Sequence, residues 1–406
     1  MSKFQWRGCG SNDIEVILDL NDQAWGNDYI SISKKIESKI YPLRFCVCKG
    51  CMMAQIDHTV PKEKMFIDHS YVSGTTASLK KHFSDIGHSI LSRTSLKKDD
   101  YILDLGGNDG TFLEFFKNSG YDVLNVDSGV VQSKISNEQG IRCINKFFSN
   151  ELASEIIIEK GKAKVIHGSG IFFHLEELHD FFKGVENLLS EDGLLIAEFI
   201  YLPDLIKNCA YDQIYHEHLL YYTLSTLQGL LNNFGLEVYD AEIKEIHGGS
   251  CIAYITHKSS NKRHSKQLFD LLTKEETNKM HEIETYYKFA KEAVNNKKLL
   301  KKMISRIKGQ DKSIQALGAP VKGSTIINYC KLTTKDIECG VEINSHKFNK
   351  FFPGTNIPVF DQELTPAPDV YLLLSWNFKD EILAKLEDFR AKGGKIIIPI
   401  PVPVLI

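Results

Sequence analysis

Asp100–Gly120 is DYILDLGGNDGTFLEFFKNSG, an apolar run, a glycine-rich turn and an amphipathic segment in succession. Tyr101 to Leu105 is a short apolar run of the kind that forms a strand buried on both faces, and glycines close it. An amphipathic helix follows and stops at Gly120. Working outward, YDVLNVD, AKVIHGSG and GLLIAEFIY read as further strands, with helix-like segments between them. Strands alternating with helices predict a parallel, doubly wound α/β sheet over residues 76–258.

The flanks differ in texture. Residues 1–75 carry four of the nine cysteines and read as short elements. Residues 259–406 follow a polar stretch, KSSNKRHSK. A long helix is predicted where Met280, Ile283, Tyr287, Ala290 and Val294 recur at three- and four-residue spacing, and Leu300, Met303 and Ile307 resume it. Beyond it SIQALGAPVKGSTIINYC, IECGVEIN, DVYLLLSW and KIIIPIPVP read as a second, smaller α/β unit. The expectation is three domains: 1–75, 76–258 and 259–406.

Composition narrows the function classes. A chain of 406 residues with 43% hydrophobic and 25% charged residues builds sizeable cores. Its net charge of −3 leaves no footprint for nucleic acid or an anionic membrane. No apolar run reaches spanning length, and MSKFQWRGCG lacks a signal-peptide core. A cytoplasmic monomer or weak dimer with a small-molecule partner is expected.

The loop LDLGGNDG places Asp104, Gly106, Gly107, Asn108, Asp109 and Gly110 at a strand-to-helix turn, where glycines let backbone approach a ligand. Asp127 ends the next strand, where a carboxylate suits a ribose diol. The nicotinamide fingerprint fails, because its third and sixth positions hold Asn108 and Thr111. A D-x-G-x-x-x-G loop suits S-adenosylmethionine better; a plain glycine turn is the bland rival. Gly168, after AKVIH, belongs to the same expected cofactor crevice.

Cys48-Lys49-Gly50-Cys51 has knuckle spacing for zinc. Cys9 stands without a C-x-x-C partner, since Trp6 occupies the position three before it, and Cys46 is the candidate fourth thiolate. Such a site is structural; the rival reading is small buried core cysteines.

QIYHEHLLYY, Gln213 to Tyr222, sets Tyr215, His216, Glu217 and His218 side by side. A zincin needs His-Glu-x-x-His, and position 220 is Leu. On a helix Tyr215 and His218 share a face; on a strand the two histidines do. A polar loop with satisfied histidines is the rival.

Taken together, WRGCGS, YPLRFCVCKGC, LGGNDGTFL, IYHEHLLYY, IHGGS, GAPVKG and FFPGTNIPV give the chain a resemblance, over nearly its whole length, to the sugar C-methyltransferases. These act on nucleotide-linked deoxysugars and include the tetronitrose-pathway C-3'-methyltransferases. The resemblance implies a zinc-binding N-terminal piece, a central S-adenosylmethionine fold and a C-terminal α/β domain that helps enclose a sugar nucleotide. It implies a reaction in which a 4-keto sugar loses its C3 proton and the carbanion takes the methyl group. By motif match Tyr215, Glu217 and His218 fall on active-site positions, as do His174 in IFFHLEEL and Tyr71 in SYVSGTT. Four places depart from the family pattern: Trp6, Asp104 where Glu is usual, HGSGIFFH without its Asn, and Cys251-Ile252 after HGGS.

That chemistry needs a base of near-neutral pKa and a donor for the oxyanion forming at O4. Histidine suits the first task, and His218 is the expected base. Glu217 is expected to hold a histidine's tautomer or share in proton transfer; Tyr215, Tyr71 and His174 are expected to donate to O4 or fix the ring. His247, Gly248, Gly249 and Ser250 read as a tight turn against substrate. Lys322 is the expected phosphate ligand, with Lys347 and Lys350 weaker candidates and a solvated lysine as the rival. Phe147 and Phe148 either flank the adenine or pack in the core. The rival functions are a nicotinamide-dependent sugar oxidoreductase or epimerase, and a non-catalytic sugar-nucleotide binder.

Overall fold

The computed structural model describes residues 7–34, 37–69, 71–75, 77–245 and 248–406. Trp6 and His247 lie outside them.

Three sheets organise the chain. The central one has seven strands in the order Leu236–Lys244, Ser250–His257, Leu189–Ile200, Ala163–Ser169, Tyr101–Leu105, Asp122–Val126 and Cys143–Ile144. Ser250–His257 runs antiparallel to both neighbours, and the remaining pairings are parallel. Strand residues alternate between two cores, as the two-residue period requires. Ile102, Val165, Leu194 and Ile196 meet the helices Ala77–Arg93 and Thr111–Asn118 on one face. Leu103, Leu105, Ile166 and Leu195 meet Asn150–Lys160 and Leu178–Leu188 on the other. Burial on both sides is why these strands read as unbroken apolar runs. Strand order reverses at Tyr101–Leu105, so a crevice opens beyond its carboxyl end, beside that of Ala163–Ser169.

The N-terminal part departs from the expectation of short elements. Ile14–Ala24 and Ile40–Cys48 are strands of 11 and 9 residues paired antiparallel. Shifts of register between Val16 and Leu18, and between Asp19 and Asp22, break the alternation that would otherwise have marked the first strand. Ala54–Ile56 extends this sheet, and Leu220–Tyr221, directly after the YHEH turn, completes it.

The C-terminal sheet has eight strands, with Ile314–Leu317 central between Val370–Leu373 and Cys339–Glu342, all parallel. Its order also reverses at the first strand, giving a second crevice where Gly318 leads into the helix Val321–Tyr329. Ile30–Ser31, from the N-terminal part, pairs at its edge. The long helix is Ile283–Lys308; Leu300 and Ile307 of the expected stripe are buried in it, but its N-terminal half turns a shifted face inward. Tyr286, Phe289, Ala293, Leu300, Ile304 and Ile307 face inward, while Tyr287 and Val294 are exposed. Asn296 hid the stripe: it lies buried within it, donates to the Pro399 and Pro401 carbonyls and accepts from Tyr211 Oη. No helix among the described residues is long and apolar enough to cross a membrane.

Candidate active site and metal centre

The thiols of Cys9, Cys48 and Cys51 gather with all sulfurs within 4.8 Å of one another. Cys9 and Cys48 stand 3.5 Å apart. Thiolates about 2.3 Å from a tetrahedral zinc are roughly 3.8 Å apart, so the cluster fits three of its positions. Burial opposes ionisation of Cys48, yet the Cys51 and Gly50 N–H groups and the neighbouring thiols bring it below an ordinary thiol. Cys46 does not join. One strand repeat of roughly 6.6–6.8 Å separates it from Cys48, and its sulfur turns to the Arg44 carbonyl at 3.7 Å. Cys51 arrives instead through the turn that bonds Met52 N–H to the Cys48 carbonyl.

The glycine loop lines the crevice beyond Tyr101–Leu105, the candidate cofactor site. Gly106 and Gly110 have φ of 65° and 84°, which side chains resist. Asp127 accepts from Asn108 N at 2.8 Å and Gly129 N at 2.7 Å, and each carboxylate oxygen retains a lone pair for a ribose hydroxyl. That donor set fits S-adenosylmethionine. The side chains of Asn108 and Asp109 face a different partner. Asn108 accepts from Ser73 N and donates to the Tyr71 carbonyl, and Asp109 accepts from Gly74 N and Thr111. They tie the segment 71–75 across the loop rather than standing open to a ligand. Asp104 is buried behind the loop, where His167 Nδ1 donates to it at 2.7 Å; burial raises its carboxyl despite that partner. Gly106 and Gly168 both abut Ile171. Phe148 packs against Phe181, which is its core role, and Phe147 carries the Lys62 ammonium over its ring.

The YHEH segment is neither helix nor strand. It is a tight turn closed by His218 N–H on the Tyr215 carbonyl at 2.8 Å, which keeps Tyr215 and His218 on one side. Their rings lie 3.8 Å apart, and Phe173 meets His218 at 4.4 Å. His218 Nδ1 donates to the Gln213 carbonyl at 2.8 Å, which makes Nε2 the basic nitrogen of the neutral ring. His174 stands 5.4 Å away, its own Nδ1 donating to the Glu217 carbonyl. Thus it is the backbone of Glu217, not its carboxylate, that fixes a histidine tautomer. The carboxylate accepts from Trp25 Nε1 at 2.6 Å and Asn27 Nδ2 at 2.7 Å, while burial pushes its pKa up. Tyr71 joins the glycine-loop segment through its carbonyl, and its described hydrogen bonds do not reach His218.

His216 faces the N-terminal sheet, donating to the Pro42 carbonyl at 3.2 Å. Burial lowers both His216 and His174 to about 4. Unfolding therefore takes up protons as pH falls from 6.5 towards 4, and stability is lost through that window. Each buried histidine contributes a slope of up to roughly 1.4 kcal/mol per pH unit. His216→Gln is expected to make the fall in melting temperature between pH 6.5 and 4 shallower, by calorimetry; an unchanged slope refutes the assignment.

The C-terminal domain meets this turn at the second crevice. Lys322 and Lys347 both point inward. Lys322 bonds Asn377 Oδ1 and lies 4.4 Å over the Trp376 ring, and burial lowers it to about 8 against the pull of Asp212. Lys347 donates to the Ala319 carbonyl at 2.7 Å beside Glu342 and Glu217. Lys350 lies in a short edge strand. Gly248 abuts Gln213 and Trp376; Ser250 opens the antiparallel strand.

Several residues here escaped the sequence reading. Glu198 is buried at the crevice, accepting from His82 Nε2 at 2.8 Å and Ser169 Oγ at 2.6 Å. A lone charged residue inside the apolar run GLLIAEFIY was the available signal. Trp25, Asn27 and Trp376 carried none, because their partners lie 164 or more residues away.

Comparison with known proteins covers the three parts separately and the chain as a whole. Residues 7–66 match a zinc binding domain, 79–241 a methyltransferase domain, and 245–401 the C-methyltransferase C-terminal domain. The last match begins ahead of Ser250–His257, a strand that pairs within the central sheet. C-methyltransferase NovU of Streptomyces niveus is 30% identical over 403 residues, 98% of this chain and 96% of that protein. Among solved structures, a S-adenosylmethionine-dependent methyltransferase from Clostridium acetobutylicum is 17% identical, with 44% of this chain and 92% of that one covered and a TM-score of 0.35. Magnesium protoporphyrin IX methyltransferase from Synechocystis, with bound SAH, is 11% identical over 48% of this chain and 92% of its own, also at 0.35.

Proposed function

This chain belongs to the S-adenosylmethionine-dependent C-methyltransferases, in the family of NovU, and from that premise we propose that it methylates C3 of a nucleotide-linked 4-keto deoxysugar. S-adenosylmethionine supplies an electrophilic methyl group on a sulfonium. What this chain must supply is a base that takes the C3 proton, leaving that carbon's electron pair to attack the methyl group as the thioether departs. We assign the proton abstraction to His218 Nε2, and the observation that carries it is the Nδ1–H bond to the Gln213 carbonyl. That bond holds the ring in the tautomer with its lone pair on Nε2 and stabilises the imidazolium once formed. Tyr215, its ring tilted against that of His218, is the candidate donor to the oxygen that gains charge at C4, and His174, whose one N–H is held by the Glu217 carbonyl, is the candidate to fix the sugar ring.

Asp127 and the glycine loop hold the methyl donor. The acceptor's diphosphate is assigned to the second crevice, where Lys322 and Lys347 stand near the free N–H groups at the start of Val321–Tyr329. The domain limits we propose are 1–75, 76–258 and 259–406, with Leu220–Tyr221 and Ile30–Ser31 exchanged between neighbours. Incubation with S-adenosylmethionine and a panel of 4-keto sugar nucleotides, followed by mass spectrometry, tests the reading. A product heavier by one methylene, with the new methyl on C3 by NMR, is expected. Transfer to an oxygen or a nitrogen instead contradicts it.

A further inference from the structure

Two buried polar atoms beside the catalytic turn have no partner: Asp212 Oδ1 and Gln213 Nε2. Asp212 has no exposed surface and Gln213 is 3% exposed. Native folds keep few such groups, because an unbonded buried donor or acceptor costs stability.

Their surroundings converge. The other Asp212 oxygen accepts from Trp376 Nε1 at 2.6 Å, and Lys322 lies over the same indole. Gly248, at φ of 90°, leaves this wall without a side chain. A Cβ on Gly248 would stand 3.1 Å from Gln213 Nε2 and 3.6 Å from Trp376 Cη2. Gln213 also touches the reacting centre, since its carbonyl holds His218 Nδ1–H. Its amide donor is thus one glutamine side chain away from the His218 ring. With the reacting carbon at His218, the hexose is the part of the acceptor nearest that amide, because the nucleobase lies beyond the diphosphate.

We propose that Asp212 and Gln213 form a sugar-recognition pair. The Gln213 amide donates to an oxygen of the hexose, and Asp212 Oδ1 accepts from a hydroxyl of the same ring. Asp212 Oδ1 can only accept when ionised, so the pair takes a hydroxyl-bearing face of the sugar and leaves the diphosphate to Lys322 and Lys347. The inference rests on the reading of the acceptor as a nucleotide-linked hexose.

Gln213→Met keeps the length of the side chain and removes the donor, while the backbone carbonyl under His218 remains. Calorimetric titration with thymidine-diphosphate-linked 4-keto-6-deoxyglucose, and with its 2-deoxy counterpart, is the test. The variant's Kd for the sugar nucleotide is expected to rise about tenfold or more. Its Kd for S-adenosylhomocysteine stays the same, and the melting temperature of the ligand-free protein holds or rises, because an unpaired donor has gone. Wild-type protein that binds neither sugar nucleotide defeats the acceptor reading and the inference together. Wild-type binding with unchanged affinity in Gln213→Met overturns the inference alone. So does a lower melting temperature with both ligands bound more weakly, which marks a structural role.

Discussion

His218→Gln is expected to lose methyl transfer by roughly 10²- to 10⁴-fold in kcat while its affinity for S-adenosylhomocysteine changes by less than about twofold. His218 sits on a turn between Tyr215 and Phe173, and the Gln213 carbonyl dictates which nitrogen carries the proton. Glutamine keeps a polar group near that place but has no basic nitrogen. The crevice we assign to the cofactor stands on other residues, Asp127 and the loop 106–110, whose described bonds do not include His218. Calorimetry with S-adenosylhomocysteine separates the two roles. A large loss of cofactor affinity in His218→Gln would take the residue out of proton transfer and make it part of the crevice wall.

Cys48→Ser is expected to empty the metal centre and lower the melting temperature by roughly 10 °C or more, since metal affinity at such a site is folding free energy. The effect spreads because the sheet that begins at this centre ends at Leu220–Tyr221, two residues past His218. Loosening Ala54–Ile56 therefore loosens one flank of the catalytic turn. Cys46→Ser is the control: its sulfur turns to the Arg44 carbonyl and not to the cluster, so that variant keeps its zinc. Elemental analysis and scanning calorimetry read both variants. Wild-type protein purified without zinc, or a Cys48→Ser variant that retains it, contradicts this account of the N-terminal domain.

How much of this was legible in the sequence follows from the range of each signal. Runs such as YILDL and GLLIAEFI announced the central sheet because both faces are buried and no polar residue interrupts the strand pattern for long. The first strand was obscured by its register shifts, and the long helix's inward stripe by one buried asparagine that binds two distant carbonyls. Motif resemblance located the YHEH turn and the thiols. It gave no indication that the Glu217 carboxylate is engaged by Trp25 and Asn27, or that Asp212 is engaged by Trp376. Those partners come from distant parts of the chain, and no local periodicity encodes a bond across 164 to 192 residues. Cys46 misled for a related reason. Two positions along a strand share a face, yet they lie one strand repeat apart, too far for one zinc ion.

The proposed chemistry rests on an imidazole at position 218 that removes the proton on the carbon beside a sugar carbonyl. Proton NMR of the enzyme with thymidine-diphosphate-linked 4-keto-6-deoxyglucose in heavy water, without a methyl donor, tests it most directly. The account predicts that the C3 proton signal fades with the wild-type protein and persists with His218→Gln. A C3 proton that stays with the wild type, or one that exchanges as fast with His218→Gln, would contradict it.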